Sequence, residues 1–239
     1  MPHKTFNLDE VAHYLHLKVD EVQKYVREQV IPHEERGGRL SFKRSEIDSW
    51  ASRRILGASE KRLTTYHRQS SEGMLDLSRE HAIMPDLLRA EFIAPALASR
   101  TKASVIRDMA TLADRTELIS DVADLVRSLE ERERLCTTAL PGGVALLHPL
   151  THDAYRFSES FLVLGRAVQP LPFGSPDGST TDLFFLVCCQ NDRLHLHVLA
   201  RICMMCHHTD LLLALREAEG ASGLFAALVA AEQEVIRQL

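Results

Sequence analysis

R-E-R-L-C-T-T-A-L-P-G-G-V-A-L-L-H, residues 132 to 148, is the stretch on which the reading of this chain turns. Its second half is a glycine-preceded apolar strand, Val144 to Leu147, that delivers His148 to the strand's end. An imidazole placed there can accept a phosphoryl group and pass it on. The neutral ring, with an ordinary pKa of about 6.5, supplies the attacking lone pair, and the phosphoramidate it forms keeps a high transfer potential. Transfer also needs positive or N–H groups around the equatorial oxygens, because charge spreads over them in a loose transition state. His148 is therefore the candidate phosphoacceptor.

Outward from this run the text alternates between helix and strand. Val105, Ile106, Met109 and Leu112 predict one amphipathic helix, and Val122, Leu125, Val126 and Leu129 another. Short apolar runs at 144–147, 160–168 and 182–189 predict strands covered by helices. Residues 194–206, 209–218 and 222–238 predict further helices. From residue 81 to 239 the expectation is an α/β sandwich with a mixed sheet under helices.

Residues 6 to 54 carry a different pattern. Leu8, Val11, Ala12 and Leu15 predict a helix over 9–15, with Asn7 or Asp9 as its cap. Val19, Val22, Tyr25 and Val26 predict a second helix, ended by Ile31-Pro32. The alternation of 34–42 around Gly37-Gly38 predicts a tight hairpin, and 44–50 a third helix with Ile47 and Trp50 packed inward. Residues 55–80 are polar, with little apolar periodicity, and read as a linker with room for a partial helix. The fold expected is a two-domain α/β chain: 1–54, a linker 55–80, and 81–239.

Composition narrows the class. The chain has 239 residues, 45% of them hydrophobic, and a net charge of -5, which excludes a wholly basic coat protein but not a small DNA-binding module. Residues 1–6 hold no apolar signal core and Leu183–Cys189 is too short to span a bilayer, so a cytoplasmic protein without a membrane partner is expected. The five cysteines, an odd number, suit reduced thiols. Cys203-Met-Met-Cys206-His207 has the spacing of a haem attachment site but falls in a predicted helix where these residues face a core. Cys188-Cys189 lies in a predicted buried strand. No metal or cofactor is expected.

The opening run resembles the phosphorylation-site signature of the EIIA proteins of the fructose, mannitol and nitrogen branch of the bacterial phosphotransferase system. Arg132, Glu133, Thr138, Gly143, Val144, Ala145 and His148 fall on it without a gap, while Leu147 replaces a proline and Pro149 a small residue. Asp182-Leu-Phe-Phe-Leu-Val, followed by His195-Leu-His197-Val-Leu, is similar to the family's second element. The resemblance implies that an HPr-like phosphocarrier phosphorylates His148, that Arg132 reaches the phosphate, and that His195 stands beside His148. It places Thr138 and Gly143 in the phosphate cradle; Pro149 offers no N–H to it. The implied activity is phosphotransfer in nitrogen regulation rather than metabolic catalysis.

Residues 6–54 resemble an excisionase or MerR-like winged helix-turn-helix, through Glu10, Val11, Ala12, Leu15, Val22, Val26, Ile31, Pro32, Gly37, Gly38, Arg39, Arg44, Glu46, Ile47 and Trp50. This implies transcriptional regulation through DNA, with Lys18, Lys24, Arg27, Arg36, Arg39, Lys43 and Arg44 as contacts and a homodimer reading paired half-sites. Asp20 and Glu21, at the start of the recognition helix, would repel phosphates. The competing class is a non-enzymatic protein with a degenerate EIIA domain, whose helix-turn-helix docks other regulatory proteins.

Overall fold

A computed structural model describes residues 5–58, 60–71, 81–150 and 156–238. The N-terminal unit starts with a reciprocal cap. The Asn7 side chain accepts the Glu10 N–H at 2.9 Å while the Glu10 carboxylate accepts the Asn7 N–H at 2.8 Å, which starts α1 (Leu8–Tyr14). Then follow α2 (Val19–Arg27), β2 (Glu34–Arg36), β3 (Arg39–Lys43) and α3 (Arg44–Leu56), with β1 (Thr5–Phe6) preceding α1. The strands form an antiparallel sheet in the order β1-β3-β2. Gly37 and Gly38 have φ of 58° and 76°, the left-handed pair that a two-residue hairpin needs. Val11, Val22, Ile31, Phe42 and Ile47 are buried and hold the unit together.

The C-terminal unit is a mixed five-stranded sheet in the order β4-β7-β8-β6-β5. β4 (Ile93–Leu97) runs parallel to β7 (Phe161–Leu171), β7 antiparallel to β8 (Thr181–Cys188), and β8 parallel to β6 (Val144–Leu147). β5 (Ala139–Leu140) closes the edge antiparallel to β6. Central β8 is buried along almost its whole length, as a strand covered on both faces must be. The covering helices are α5 (Met84–Leu87), α6 (Lys102–Asp114), α7 (Val122–Leu135), α8 (Asp192–His208), α9 (Leu211–Glu217) and α10 (Gly220–Gln238). A Cβ on Gly165 of β7 would lie 2.4 Å from Leu97 and 2.6 Å from Met109, so only glycine lets β4 and α6 close over that strand.

Within 55–80, residues Glu60–Ser71 form helix α4. Its buried Leu63 and His67 lie on the side packed against α8, and α3 packs there too. α8 therefore touches both units. No single helix among the described residues is long and apolar enough to cross a membrane.

Candidate functional site

Three elements bring the site together. α7 ends with Arg132 in its last turn, β6 hands over to His148, and the first turns of α8 place His195. The His148 and His195 rings lie 4.8 Å apart, centroid to centroid, and Arg132 Nε donates to His148 Nε2 at 2.9 Å. On its other side, His148 Nδ1 meets the Leu146 carbonyl at 2.8 Å.

This pairing fixes the ring's tautomer. A guanidinium only donates and a carbonyl only accepts, so Nδ1 carries the proton and Nε2 presents the lone pair. Nε2 is the atom able to attack phosphorus. Arg132 also donates through Nη1 to the Cys136 carbonyl at 3.0 Å and to the Cys136 sulfur at 3.2 Å. Its Nη2 is buried with no hydrogen-bond partner among the described residues, a donor left for an oxygen of an incoming group. Arg132, His148 and His195 are each only 1–2% exposed.

Thr138 and Gly143 lie apart from the three side chains that meet at the site. The Thr138 hydroxyl donates to Glu133 at 2.7 Å and its N–H donates to the same carboxylate, which also pairs with Lys102 at 2.7 Å. Thr138 accepts the Leu146 N–H through its carbonyl at 3.0 Å and so braces β6 two residues before the histidine. Gly143 lies at the opposite end of β6, where its carbonyl accepts the Asp182 and Leu183 N–H groups. Four strand residues separate it from His148, five steps or roughly 16 Å of chain at about 3.3 Å per residue. Leu147 simply continues the ladder, paired with Leu186. The bracing role of Lys102 gave no sequence signal, because it lies far along the chain from Glu133.

The candidate DNA contacts divide. Lys18, Arg27 and Arg39 are exposed, and Lys24 is exposed with Glu28 at 3.9 Å. Lys43 is held by Glu34 at 2.6 Å and Glu46 at 3.4 Å. The backbone of Arg36 pairs with Arg39 across the hairpin, and its side chain lies outside the described residues. Arg44 is half-buried. It pairs with Asp192 in the first turn of α8, so the C-terminal unit neutralises the charge expected at DNA.

That contact belongs to a polar seam. Tyr14 donates to Asp48 beside it, and deeper in, Arg201 Nε donates to His67 Nε2 at 2.8 Å while the His67 and His197 rings lie 4.4 Å apart. Burial, helped by Arg201, His16 and Arg193, lowers His197 to about 3; burial, with Arg193 and His13, lowers His16 to about 4. Both rings are neutral in the folded protein. Below the ordinary value of 6.5 the unfolded chain binds protons that the folded chain refuses, so stability falls with pH through that window. Melting temperatures from pH 7 to 4 should therefore drop, and a His16→Gln/His197→Gln double variant should show a shallower slope. An equal slope in both proteins would refute this account.

The geometry defines a histidine-centred α/β domain carrying a helix-turn-helix unit. The family model described as "Phosphoenolpyruvate-dependent sugar phosphotransferase system, EIIA 2" matches residues 86–230, more than half the chain, and the chain belongs to that family. A model described as "Helix-turn-helix domain" matches residues 5–55. A nitrogen regulatory protein of Bradyrhizobium diazoefficiens is 30% identical over 145 residues, covering 60% of this chain and 92% of that protein. Among solved structures, the nitrogen regulatory protein IIA-Ntr of Neisseria meningitidis superposes with a TM-score of 0.56 at 24% identity, over 62% of this chain and 99% of that one. The IIA mannitol protein of Escherichia coli gives 0.52 at 18%, over 59% and 98%. These relatives match the C-terminal unit almost end to end.

Proposed function

We propose that this protein is a cytoplasmic regulator that accepts a phosphoryl group on Nε2 of His148 from an HPr-type phosphocarrier and couples it to DNA binding. The observation that carries the reading is the Arg132–His148–His195 arrangement: one nitrogen locked as a lone pair, a guanidinium upon it, and a second imidazole beside it. In this reading residues 1–54 are the output unit, 55–80 the connection, and 81–239 the phosphoacceptor. Coupling is supported by α8, which carries His195 beside the phosphoacceptor and also holds Arg44 of α3 and His67 of α4.

Incubation with phosphoenolpyruvate, Enzyme I and the phosphocarrier should place acid-labile phosphate on the protein, and His148→Gln should abolish it. Label that persists in His148→Gln, or none on the parent, would sink the relay. For the output, binding to genomic fragments should weaken with salt and weaken further in Arg39→Ala. The acidic start of α2 and the committed Arg44 favour a second reading, in which the unit docks protein. Capture of a regulatory protein without any DNA shift at low salt would select it.

A further inference from the structure

Where α4 meets the N-terminal unit there is a half-open cavity that the proposed phosphotransfer does not use. It measures about 470 Å³ and lies between α2 and α3 on one side and α4 on the other. That volume falls within the usual range for small-molecule sites, roughly 300–1,000 Å³. Leu15, Leu17, Ile55 and Leu63 give it apolar walls. Tyr25 and Trp50 form one side, with ring centroids 5.7 Å apart, and the Arg54 guanidinium lies over both rings at 4.4 and 4.7 Å. A cation so placed is held flat and oriented.

The cavity wall carries two arginines and one carboxylate. Arg54 spends an N–H on the Tyr25 hydroxyl at 3.0 Å, and neither it nor Arg62 has a carboxylate partner among the described residues. The acid on the wall, Glu21, is already committed: its carboxylate accepts the Lys18 N–H at 3.0 Å to cap α2. Two arginines against this one carboxylate leave the apolar, aromatic-sided space with a net positive charge.

We propose that this cavity binds a small aromatic carboxylate, its acid group paired with the Arg54 fork and its ring among the leucines. An uncharged ring would leave the guanidinium unpaired, and a bare inorganic anion would leave the apolar walls wet. Because Glu21 and Tyr25 belong to α2, an occupied cavity braces the recognition helix against α4. The site is independent of His148.

Trp50 is the chain's single tryptophan, so its indole N–H gives one resonance in a nitrogen–proton spectrum of the full-length protein. Titration with 1-naphthoate to about 5 mM, generous for a ligand of this size, should shift that resonance saturably. Arg54→Gln should weaken the affinity at least about tenfold, and Arg62→Gln, at an exposed position that cannot unfold the unit, should weaken it less. The uncharged 1-naphthamide should bind more weakly than naphthoate to the parent and equally to parent and Arg54→Gln. No shift with naphthoate, equal binding of acid and amide by the parent, or unchanged affinity in both arginine variants would each overturn the proposal.

Discussion

Replacing Glu232 with alanine should cost about 3–5 kcal/mol of stability, the usual penalty for breaking a buried ion pair on one side. Glu232 and Arg201 are fully buried and 3.3 Å apart. The glutamate also accepts the N–H groups of Ile83 and Met84, each at 2.9 Å, fastening the chain that enters the C-terminal unit to α10. Burial pushes its carboxyl upward, opposed by those N–H donors and by Arg201. Alanine strands a guanidinium and two backbone donors in the core, and each unsatisfied donor costs about 1–3 kcal/mol. Glu232→Gln keeps an acceptor but loses the charge, so it should fall between. Because Arg201 also binds His67, α4 should loosen together with α10. Denaturant midpoints check this, with exposed Glu234→Ala as the reference. A Glu232→Ala loss below about 1 kcal/mol would refute the account, and Glu232→Leu/Arg201→Leu should recover only the share due to the stranded guanidinium, because the Ile83 and Met84 N–H groups still lack an acceptor.

The same cluster shows where sequence reasoning stops. Residues 144–147, 161–171 and 181–188 were legible as strands because a covered strand must be a short apolar run, and Gly37-Gly38 was legible because few residues tolerate two left-handed positions in succession. β4 was not: Ile-Ala-Pro-Ala-Leu contains Pro95, which suits an edge strand and removes the usual strand signal. α4 was hidden among polar residues. Its buried stripe is little more than Leu63 and His67, and the surface that covers it, on α8, comes more than a hundred residues later. Arg132, His148 and His195 could be placed by spacing, since a helix end, a strand end and a helix start hold them. Which nitrogen carries the proton, and that Arg44 turns to Asp192, depended on contacts across the fold. That Gly143 and His148 stand at opposite ends of β6 depended on the fold for the complementary reason: motif spacing is linear, and an extended strand carries its two ends apart.

Under the proposed relay, Arg132 should matter to phosphotransfer more than its motif position alone suggests. In the resting site its Nε occupies the lone pair of His148 Nε2, so the guanidinium must leave that nitrogen before phosphorus arrives. Its free Nη2 gives it somewhere to go, an equatorial oxygen of the incoming group, where charge builds as the bond to the donor breaks. Removing one such preorganised donor commonly costs about 10²–10³-fold in rate. Arg132→Ala should therefore slow phosphoryl uptake from the phosphocarrier by about that factor. Arg132→Lys should recover only part of it, because an ammonium supplies charge without the fork that spans His148 and Cys136. Stability gives the control. The His148 ring keeps its bond to the Leu146 carbonyl in either variant, so a chain that melts near the parent temperature yet phosphorylates slowly has lost chemistry rather than fold. Uptake by Arg132→Ala within about threefold of the parent would show that the guanidinium only packs the site, leaving His195 to meet the phosphate.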